Sequence, residues 1–228
     1  MSGRHSLPGC LLAIFVSIST IAAPSARIPT ATLVSASKLN LPGEVDSNNP
    51  AVWSIVDGVQ RLFVLSSWGG VPTLSSGDTI EALRNDGPVS FASHPGHGVW
   101  IEALVPADDN TWYAYYHHER PADLCGRPDR QLPRIGALRS NDRGQTWDDL
   151  GIVLDAPPGT EACASTNRFV LGGGGDVTAA IDPDTRDIHL YFSQYSRDAA
   201  SQGVVVARLA WADRDAPAGK LSIWNHGA

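Results

Sequence analysis

The stretch that decides the fold prediction is Ser140-Asn141-Asp142-Arg143-Gly144-Gln145-Thr146-Trp147, which has the pattern S-x-D-x-G-x-T-W. Gly144 suits a tight turn, because glycine tolerates the left-handed backbone region that other residues rarely adopt. Asp142 is a short acid that can accept hydrogen bonds from the amides of such a turn. Strand-like runs flank the stretch at residues 135–138 and 151–154. The sequence therefore predicts a β-hairpin whose turn is held by its own side chains.

These eight residues resemble the Asp-box, or BNR repeat, of sialidases and related β-propellers. The resemblance assigns a structural role to five of its positions, Ser140, Asp142, Gly144, Thr146 and Trp147. In those families the motif stabilises the fold on the side of the propeller away from the substrate. It therefore implies an architecture and says little about chemistry.

The first 26 residues are predicted to be a signal peptide. The apolar run from Cys10 to Ala23 is too short to span a bilayer but suits the core of a leader, and small residues suitable for cleavage follow it. We therefore expect residues 27–228 to form the mature β-propeller domain, as the N-terminal portion of a longer chain. The mature protein is predicted to be secreted or periplasmic, with no membrane span once the leader is removed.

Composition restricts the partners. The chain has 24 acidic against 17 basic residues and no basic blocks, which argues against a nucleic-acid partner. Two cysteines survive removal of the leader, Cys125 and Cys163. In an oxidising compartment they are expected to form one disulfide, and the alternative is two separate thiols.

Three segments share one layout: an apolar strand, a polar turn, an aromatic-rich strand and a third strand carrying Ala or Val. Phe63, Tyr113 and Leu190 occupy matching positions in them. The predicted third strands are residues 79–84, 134–139 and 203–211. Such a unit is the four-stranded antiparallel blade of a β-propeller, so we predict an all-β chain with about three blades, an incomplete propeller. A compact three-sheet or sandwich protein is the alternative.

One acid stands near the first strand of each segment. Asp46 precedes the first, Glu102 lies within the second, and Asp176 follows the glycine run 172–175 in the third. Glycoside cleavage needs one carboxylate as base or nucleophile and another as acid with a raised pKa, and a third can hold the sugar. Asp46, Glu102 and Asp176 are therefore the candidate catalytic residues.

This layout resembles the five-bladed propeller glycosidases, such as glycoside hydrolase family 43. The resemblance implies a glycoside hydrolase with a carbohydrate substrate, and we expect neither a cofactor nor a metal. Those families place Asp in the second blade and Glu in the third, whereas here Glu102 comes second and Asp176 third. Which of the carboxyl groups is the general acid therefore stays open.

Residues near the strand ends are candidates for substrate binding. On a strand, His117 and Glu119 share one face while His118 points to the other. Trp68 and Trp100 offer aromatic faces that can pack against sugar C–H groups. A structural role is the alternative for each of these five residues.

Two other functions stay open. The Asp-box and the tripeptide Arg27-Ile28-Pro29 resemble sialidases, which bind the substrate carboxylate with three arginines, and Arg120 and Arg168 are the later candidates. The second alternative is a non-catalytic Asp-box propeller that binds glycan or protein. An enzyme requires converging carboxylates, whereas a binding propeller does not.

Overall fold

The computed structural model describes residues 32, 34–35, 38–93, 95–96, 98–121, 126–128, 130–156, 163, 172–195 and 202–224. Backbone contacts divide the chain into two units, Met1–Lys38 and Leu39–Ala228. The predicted signal peptide lies outside the described residues, and the four described residues of the first unit form no strand. No helix in the described part of the chain is long and apolar enough to cross a membrane.

The described residues of the second unit form three β-sheets. The first sheet contains β1 (Ala51–Val56), β2 (Val59–Trp68), β3 (Val71–Gly77) and β4 (Arg84–Pro88), in that order. The second contains β5 (Ser90–Phe91), β6 (Gly98–Pro106), β7 (Trp112–Pro121), β8 (Gln131–Ser140) and β9 (Thr146–Leu154), in the spatial order β5-β9-β8-β7-β6. The third contains β10 (Gly173–Ile181), β11 (Ile188–Tyr195), β12 (Gly203–Leu209) and β13 (Ser222–Ile223), in that order. Among the described residues, the 3-10 turns Ile80–Ala82 and Trp211–Asp213 lie between strands.

The predicted fold class is confirmed. Each sheet contains a run of four antiparallel strands that follow one another in sequence, the blade of an incomplete β-propeller. The second sheet gains an unpredicted fifth strand, because β5 pairs in parallel with β9.

One predicted strand is wrong. Residues 79–84 are expected from the sequence to be the third strand of the first blade, but Ile80–Ala82 is a 3-10 turn and β3 (Val71–Gly77) takes that place. The reason is the preceding turn. Gly69 and Gly70 both have positive φ, 56° and 76°, so the chain reverses in two residues and pairs again at once, with Trp68 opposite Val71.

The second sheet lies between the other two in the packing. One core cluster joins it to the first sheet and includes Phe63, Leu65, Ile101, Trp112 and Trp147. A second cluster joins it to the third sheet, and its members include Val105, Tyr115, Ile135, Val177 and Leu190. Fully burying a large apolar side chain contributes about 1.5–3 kcal/mol, so these two interfaces supply most of the stabilisation that keeps the sheets together.

The turn at residues 140–147 has the side-chain hydrogen bonds that the sequence predicts. The Ser140 hydroxyl accepts a hydrogen bond from the Gly144 amide at 2.8 Å, and Asp142 Oδ1 accepts one from the Thr146 amide at 2.8 Å. Burial acts to raise the pKa of Asp142, but the hydrogen bonds that it accepts from Thr146, Ser140 and Gln145 outweigh burial and lower the pKa. Trp147 is fully buried, and its indole N–H donates to the Gly144 carbonyl at 2.9 Å. Ser140 pairs with Trp112 at one end of β7, whereas Glu119 lies near the other end. The turn and Glu119 are therefore at different ends of the second sheet.

The structure describes one of the two cysteines that are predicted to form a disulfide. Cys163 is disulfide-bonded. Cys125 lies outside the described residues, so the pairing of Cys125 with Cys163 stays a prediction.

Candidate functional site

Four carboxyl groups lie close enough at one place for their charges to influence one another, two from the second sheet, one from the third and one from the segment before the first. Asp46 lies on the approach to β1, Glu102 lies in β6, Glu119 in β7 and Asp176 in β10. The negative charges of Asp176, Asp46 and Glu119 all raise the pKa of Glu102. The structure therefore brings together the three acids that the sequence singles out and adds Glu119, which the sequence predicts as a substrate-binding residue.

Glu102 and Asp176 each occupy a β-bulge. The register of β6 against β7 shifts between Ile101 and Ala103, and that of β10 against β11 shifts between Gly175 and Thr178. Asp176 itself has a φ of 49°, which is unusual for a residue other than glycine. Bulges of this kind redirect a side chain and are common next to active sites.

The bulge at Glu102 also changes which neighbour β6 faces. Before it, Val99 and Ile101 pack into the cluster with the first sheet, whereas after it Ala103 and Val105 pack into the cluster with the third. Strict alternation would place all four on one face. The extra residue thus lets β6 contribute side chains to both core clusters. Glu102 lies at the point where the inward side chains of β6 change from the first cluster to the second.

Asp46 is held by one donor on each oxygen. The Trp100 indole N–H donates to Oδ1 at 2.9 Å, and the Gly69 amide donates to Oδ2 at 3.0 Å. The glycine turn makes this possible, because a Cβ on Gly70 would lie 2.4 Å from the Gly98 Cα. Glycine at position 70 therefore lets the first sheet approach β6 closely enough for Trp100 to reach Asp46.

Glu102 is a buried carboxyl group, with 5% of its surface exposed. Burial raises its pKa to about 7, helped by the charges of Asp176, Asp46 and Glu119, while a hydrogen bond from the Val177 amide acts the other way. That bond reaches Glu102 Oε2 at 2.7 Å. The pKa of Glu119 is also raised, first by burial and then by the charges of Asp176 and Asp46.

His117 lies beside Asp176, as a residue with 7% of its surface exposed. Its Nδ1 is 3.9 Å from Asp176 Oδ1, and its ring centroid is 5.9 Å from that of Trp100. Burial lowers the pKa of His117, against the opposite effect of the Asp176 charge, so the ring is neutral at neutral pH. Its Nε2 has no hydrogen-bond partner within the described part of the chain.

His118, predicted together with His117 as a substrate-binding residue, lies on the opposite face of β7 and is 1% exposed. Arg134 donates to its Nδ1 at 3.2 Å, so the proton is on Nε2, which donates to the Gly96 carbonyl at 3.2 Å. The structure thus places His117 and Glu119 with the acids and His118 away from them.

Glu102, His117 and Asp176 each present one ligand-type atom, and these atoms lie within 4.8 Å of one another. A cation could bridge them, since carboxylate oxygen and imidazole nitrogen are both metal ligands. The same spacing also suits proton exchange between neighbouring acids. The expectation of no metal stays a prediction.

Tyr195 also belongs to the site, although it is not one of the five residues that the sequence predicts to bind substrate. It ends β11, and its hydroxyl donates to Asp176 Oδ2 at 2.6 Å. The contact depends on the pairing of Tyr195 with Gly173, a register that is not visible in either segment alone.

Trp68 and two cavities complete the surroundings. Trp68 is 53% exposed and immediately precedes Gly69, whose amide binds Asp46. A cavity of about 370 Å³ is lined by Glu102 and by residues 48–51, 103–104 and 178–179. A larger one, about 560 Å³, lies between the first sheet and the 140–147 turn and contains none of the candidate acids.

The protein is similar to glycoside hydrolases of known structure. A family 117 glycoside hydrolase from the marine bacterium Zobellia galactanivorans superposes with a TM-score of 0.50 at 14% identity, covering 83% of this chain and 61% of that one. An endo-arabinase from Bacteroides thetaiotaomicron superposes with a TM-score of 0.46 at 13% identity, covering 76% of this chain and 60% of that one. An exo-β-1,3-galactanase from Phanerochaete chrysosporium superposes with a TM-score of 0.47 at 9% identity, covering 81% of this chain and 40% of that one.

These likenesses concern the fold. The fold of this chain is similar to that of propeller glycoside hydrolases. The chain spans less than two thirds of the length of each of the three structures. No protein-family model matches the chain, and no curated protein sequence matches it.

Proposed function

We propose that this protein is a glycoside hydrolase in which Glu102 is the general acid. One observation carries the proposal: Glu102 is a buried carboxyl group whose pKa is raised to about 7, first by burial and then by the charges of Asp176, Asp46 and Glu119. A general acid works best when its pKa is close to the working pH. The reversed order of Glu and Asp along the chain then has a simple interpretation, because the acid comes from the second blade.

The other carboxylates take complementary roles. Asp46 is oriented by Trp100 and Gly69 and acts as base or nucleophile at the anomeric carbon. Glu102 gives its proton to the glycosidic oxygen as the bond breaks. Asp176 is the third acid, and its negative charge favours the protonated form of Glu102. Because Glu102 must carry a proton, we expect activity to fall as the pH rises through about 7.

The sugar is proposed to bind on the side of the acids where aromatic surface is available. Trp68 is the exposed ring, and Trp100, His117 and Glu119 lie next to the acids. Aromatic faces pack against sugar C–H groups, and polar groups between them select hydroxyl positions.

A non-catalytic propeller that binds glycan is the second candidate, and the exposure of Trp68 favours it. The Asp-box interpretation of residues 140–147 fits both functions, because the turn lies at the far end of the second sheet. The sialidase alternative needs an arginine cluster. Within the described residues, no hydrogen bond or ion pair joins an arginine to Asp46, Glu102 or Asp176, and Arg27 and Arg168 lie outside them.

The leader-like start and the disulfide at Cys163 support a secreted or periplasmic protein. We further propose that the three blades belong to a longer propeller chain, since a closed propeller has at least four.

The test is hydrolysis of a panel of aryl glycosides and plant and algal oligosaccharides by the protein and two variants. Glu102→Gln should reduce kcat by roughly 100-fold or more for substrates that need leaving-group protonation. Asp46→Asn should abolish turnover while leaving the fold intact. Glu81→Gln, an exposed acid in a 3-10 turn, is the matched control and should behave as the wild type.

Retained turnover in Asp46→Asn would remove the proposed role of Asp46. Binding of oligosaccharides by the wild type without turnover of any substrate would favour the binding propeller instead.

A further inference from the structure

The two oxygens of the Asp176 carboxylate make different contacts with the rest of the protein. Oδ2 accepts a 2.6 Å hydrogen bond from Tyr195, whereas Oδ1 faces His117 Nδ1 at 3.9 Å, which is beyond hydrogen-bond distance. The Asp176 side chain is 57% exposed. Tyr195 thus makes the one side-chain hydrogen bond that restrains Asp176 among the described residues.

The backbone around Asp176 does not supply that restraint. Asp176 stands in a bulge with a φ of 49°, and the amide that follows it, Val177 N–H, is directed to Glu102. A carboxylate with this exposure would otherwise rotate towards water, where it is better solvated. Its position near Glu102 therefore depends on a side-chain partner.

We propose that Tyr195 is a positioning residue that holds the Asp176 carboxylate against Glu102 through the hydrogen bond to Oδ2. The proposal deepens the proposed function and rests on it, because it assigns to a residue of the third blade the task of keeping the general acid protonated.

The surroundings of Tyr195 keep it a donor. Burial raises its pKa, as do the hydrogen bond to Asp176 and the charges of Asp176, Glu102 and Glu119, so the phenol is neutral throughout the working range. A neutral phenol can only donate to an ionised carboxylate. The groups that face Glu102 are Asp176, Asp46, Glu119 and the neutral ring of His117, and among these acids Asp176 has the largest effect on its pKa.

The consequence is that Tyr195 influences the titration of Glu102, although the two residues do not share a hydrogen bond. If the Tyr195 hydroxyl is removed, Asp176 is free to turn into solvent, its charge acts on Glu102 through water, and Glu102 loses its proton at lower pH. Unfolding would also lower the Glu102 midpoint, because burial is the largest cause of its raised pKa, so the far-UV circular dichroism of each variant must first match that of the wild type.

The experiment is a ¹³C NMR titration of the side-chain carboxyl carbons in glutamate-labelled protein, in buffer with EDTA. The Glu102 signal is assigned by its disappearance in Glu102→Gln. Tyr195→Phe should lower the Glu102 midpoint by roughly half a pH unit or more. Tyr191→Phe, on the same strand and with no hydrogen bond described for its hydroxyl, is the matched control and should leave the midpoint unchanged.

Asp176→Asn provides the second variant. It should lower the Glu102 midpoint by itself, and adding Tyr195→Phe should then have no further effect, because the charge that Tyr195 positions is gone. An unchanged midpoint in Tyr195→Phe, or a further fall in the double variant, would overturn the proposal.

The titration also separates this proposal from the proposed function, because it needs no substrate. If hydrolysis is found, Tyr195→Phe should move the basic limb of the kcat profile to lower pH with little change in KM. If no substrate is hydrolysed, the coupling between Tyr195 and Glu102 can still be measured.

Discussion

The raised pKa of Glu102 suits its proposed role as general acid and lowers the stability of the folded protein at high pH. In the folded protein burial and three neighbouring acids raise its pKa from 4.5 to about 7, and the unfolded chain has none of these influences. Between these two values the folded protein binds more protons at this group than the unfolded chain does. The free energy of unfolding therefore falls as the pH rises through this range, and the difference is complete above about 7.

We predict that Glu102→Gln is more stable than the wild type at pH 8, by up to about 3 kcal/mol, with little gain at pH 4.5. The glutamine oxygen can still accept the Val177 amide, but it carries no charge at either pH. Urea unfolding at both values measures the difference, with Glu81→Gln as the control for a general charge effect. An equal gain at both pH values would show that the carboxyl group is not perturbed in the folded state.

At the scale of single elements, the glycine run at the start of β10 sets how closely the third sheet approaches the second. A Cβ on Gly175 would lie 2.7 Å from the His117 ring, and one on Gly173 would lie 2.1 Å from the Pro133 carbonyl oxygen. The close approach brings Asp176 next to His117, so the glycines serve packing at the site.

We predict that Gly175→Ala destabilises the protein by about 1–3 kcal/mol and displaces His117, because overpacking forces neighbours to shift. Gly173→Ala should cost more, since its φ is 86° and the obstacle is backbone. Gly203→Ala in β12 is the matched control, as nothing lies within 4 Å of its Cβ position. Thermal unfolding of the three variants checks the order, and a loss in Gly203→Ala equal to that in Gly175→Ala would contradict it.

The same elements show what the sequence could and could not predict. The hairpin at 140–147 and the first two strands of each four-stranded blade follow from local alternation and turn residues. The bulges at Glu102 and Asp176 and the Tyr195 contact could not be predicted, because each depends on the register between strands. Residues 79–84 alternate like a strand, yet the Gly69–Gly70 turn has already started β3 at Val71.

At the scale of the whole molecule, maturation links the leader to the disulfide. Cys163 is disulfide-bonded, and removal of the predicted leader would eliminate Cys10, leaving Cys125 as the partner. A covalent link of this kind stabilises a protein mainly by restricting the unfolded chain.

We predict that protein from the native host begins near Arg27 and contains the disulfide Cys125–Cys163. Replacing both cysteines with serine should lower the free energy of unfolding by about 2–4 kcal/mol. Intact mass and non-reducing peptide mapping test the first statement, and urea unfolding the second. A Cys10–Cys163 peptide would contradict both the cleavage and the pairing.

The small parallel strand β5 affects how the molecule can move. β4 ends at Pro88 and β5 begins at Ser90, so Val89 alone separates a strand of the first sheet from a strand of the second. The Ser90 and Ala92 amides donate to the Gln145 and Trp147 carbonyls, and the Val89 amide donates to Pro72. A hinge between the two sheets would have to bend at one residue whose own amide is already engaged. We therefore expect Asp46, which Gly69 and Trp100 hold by hydrogen bonds, and Glu102 in β6 to keep a fixed separation.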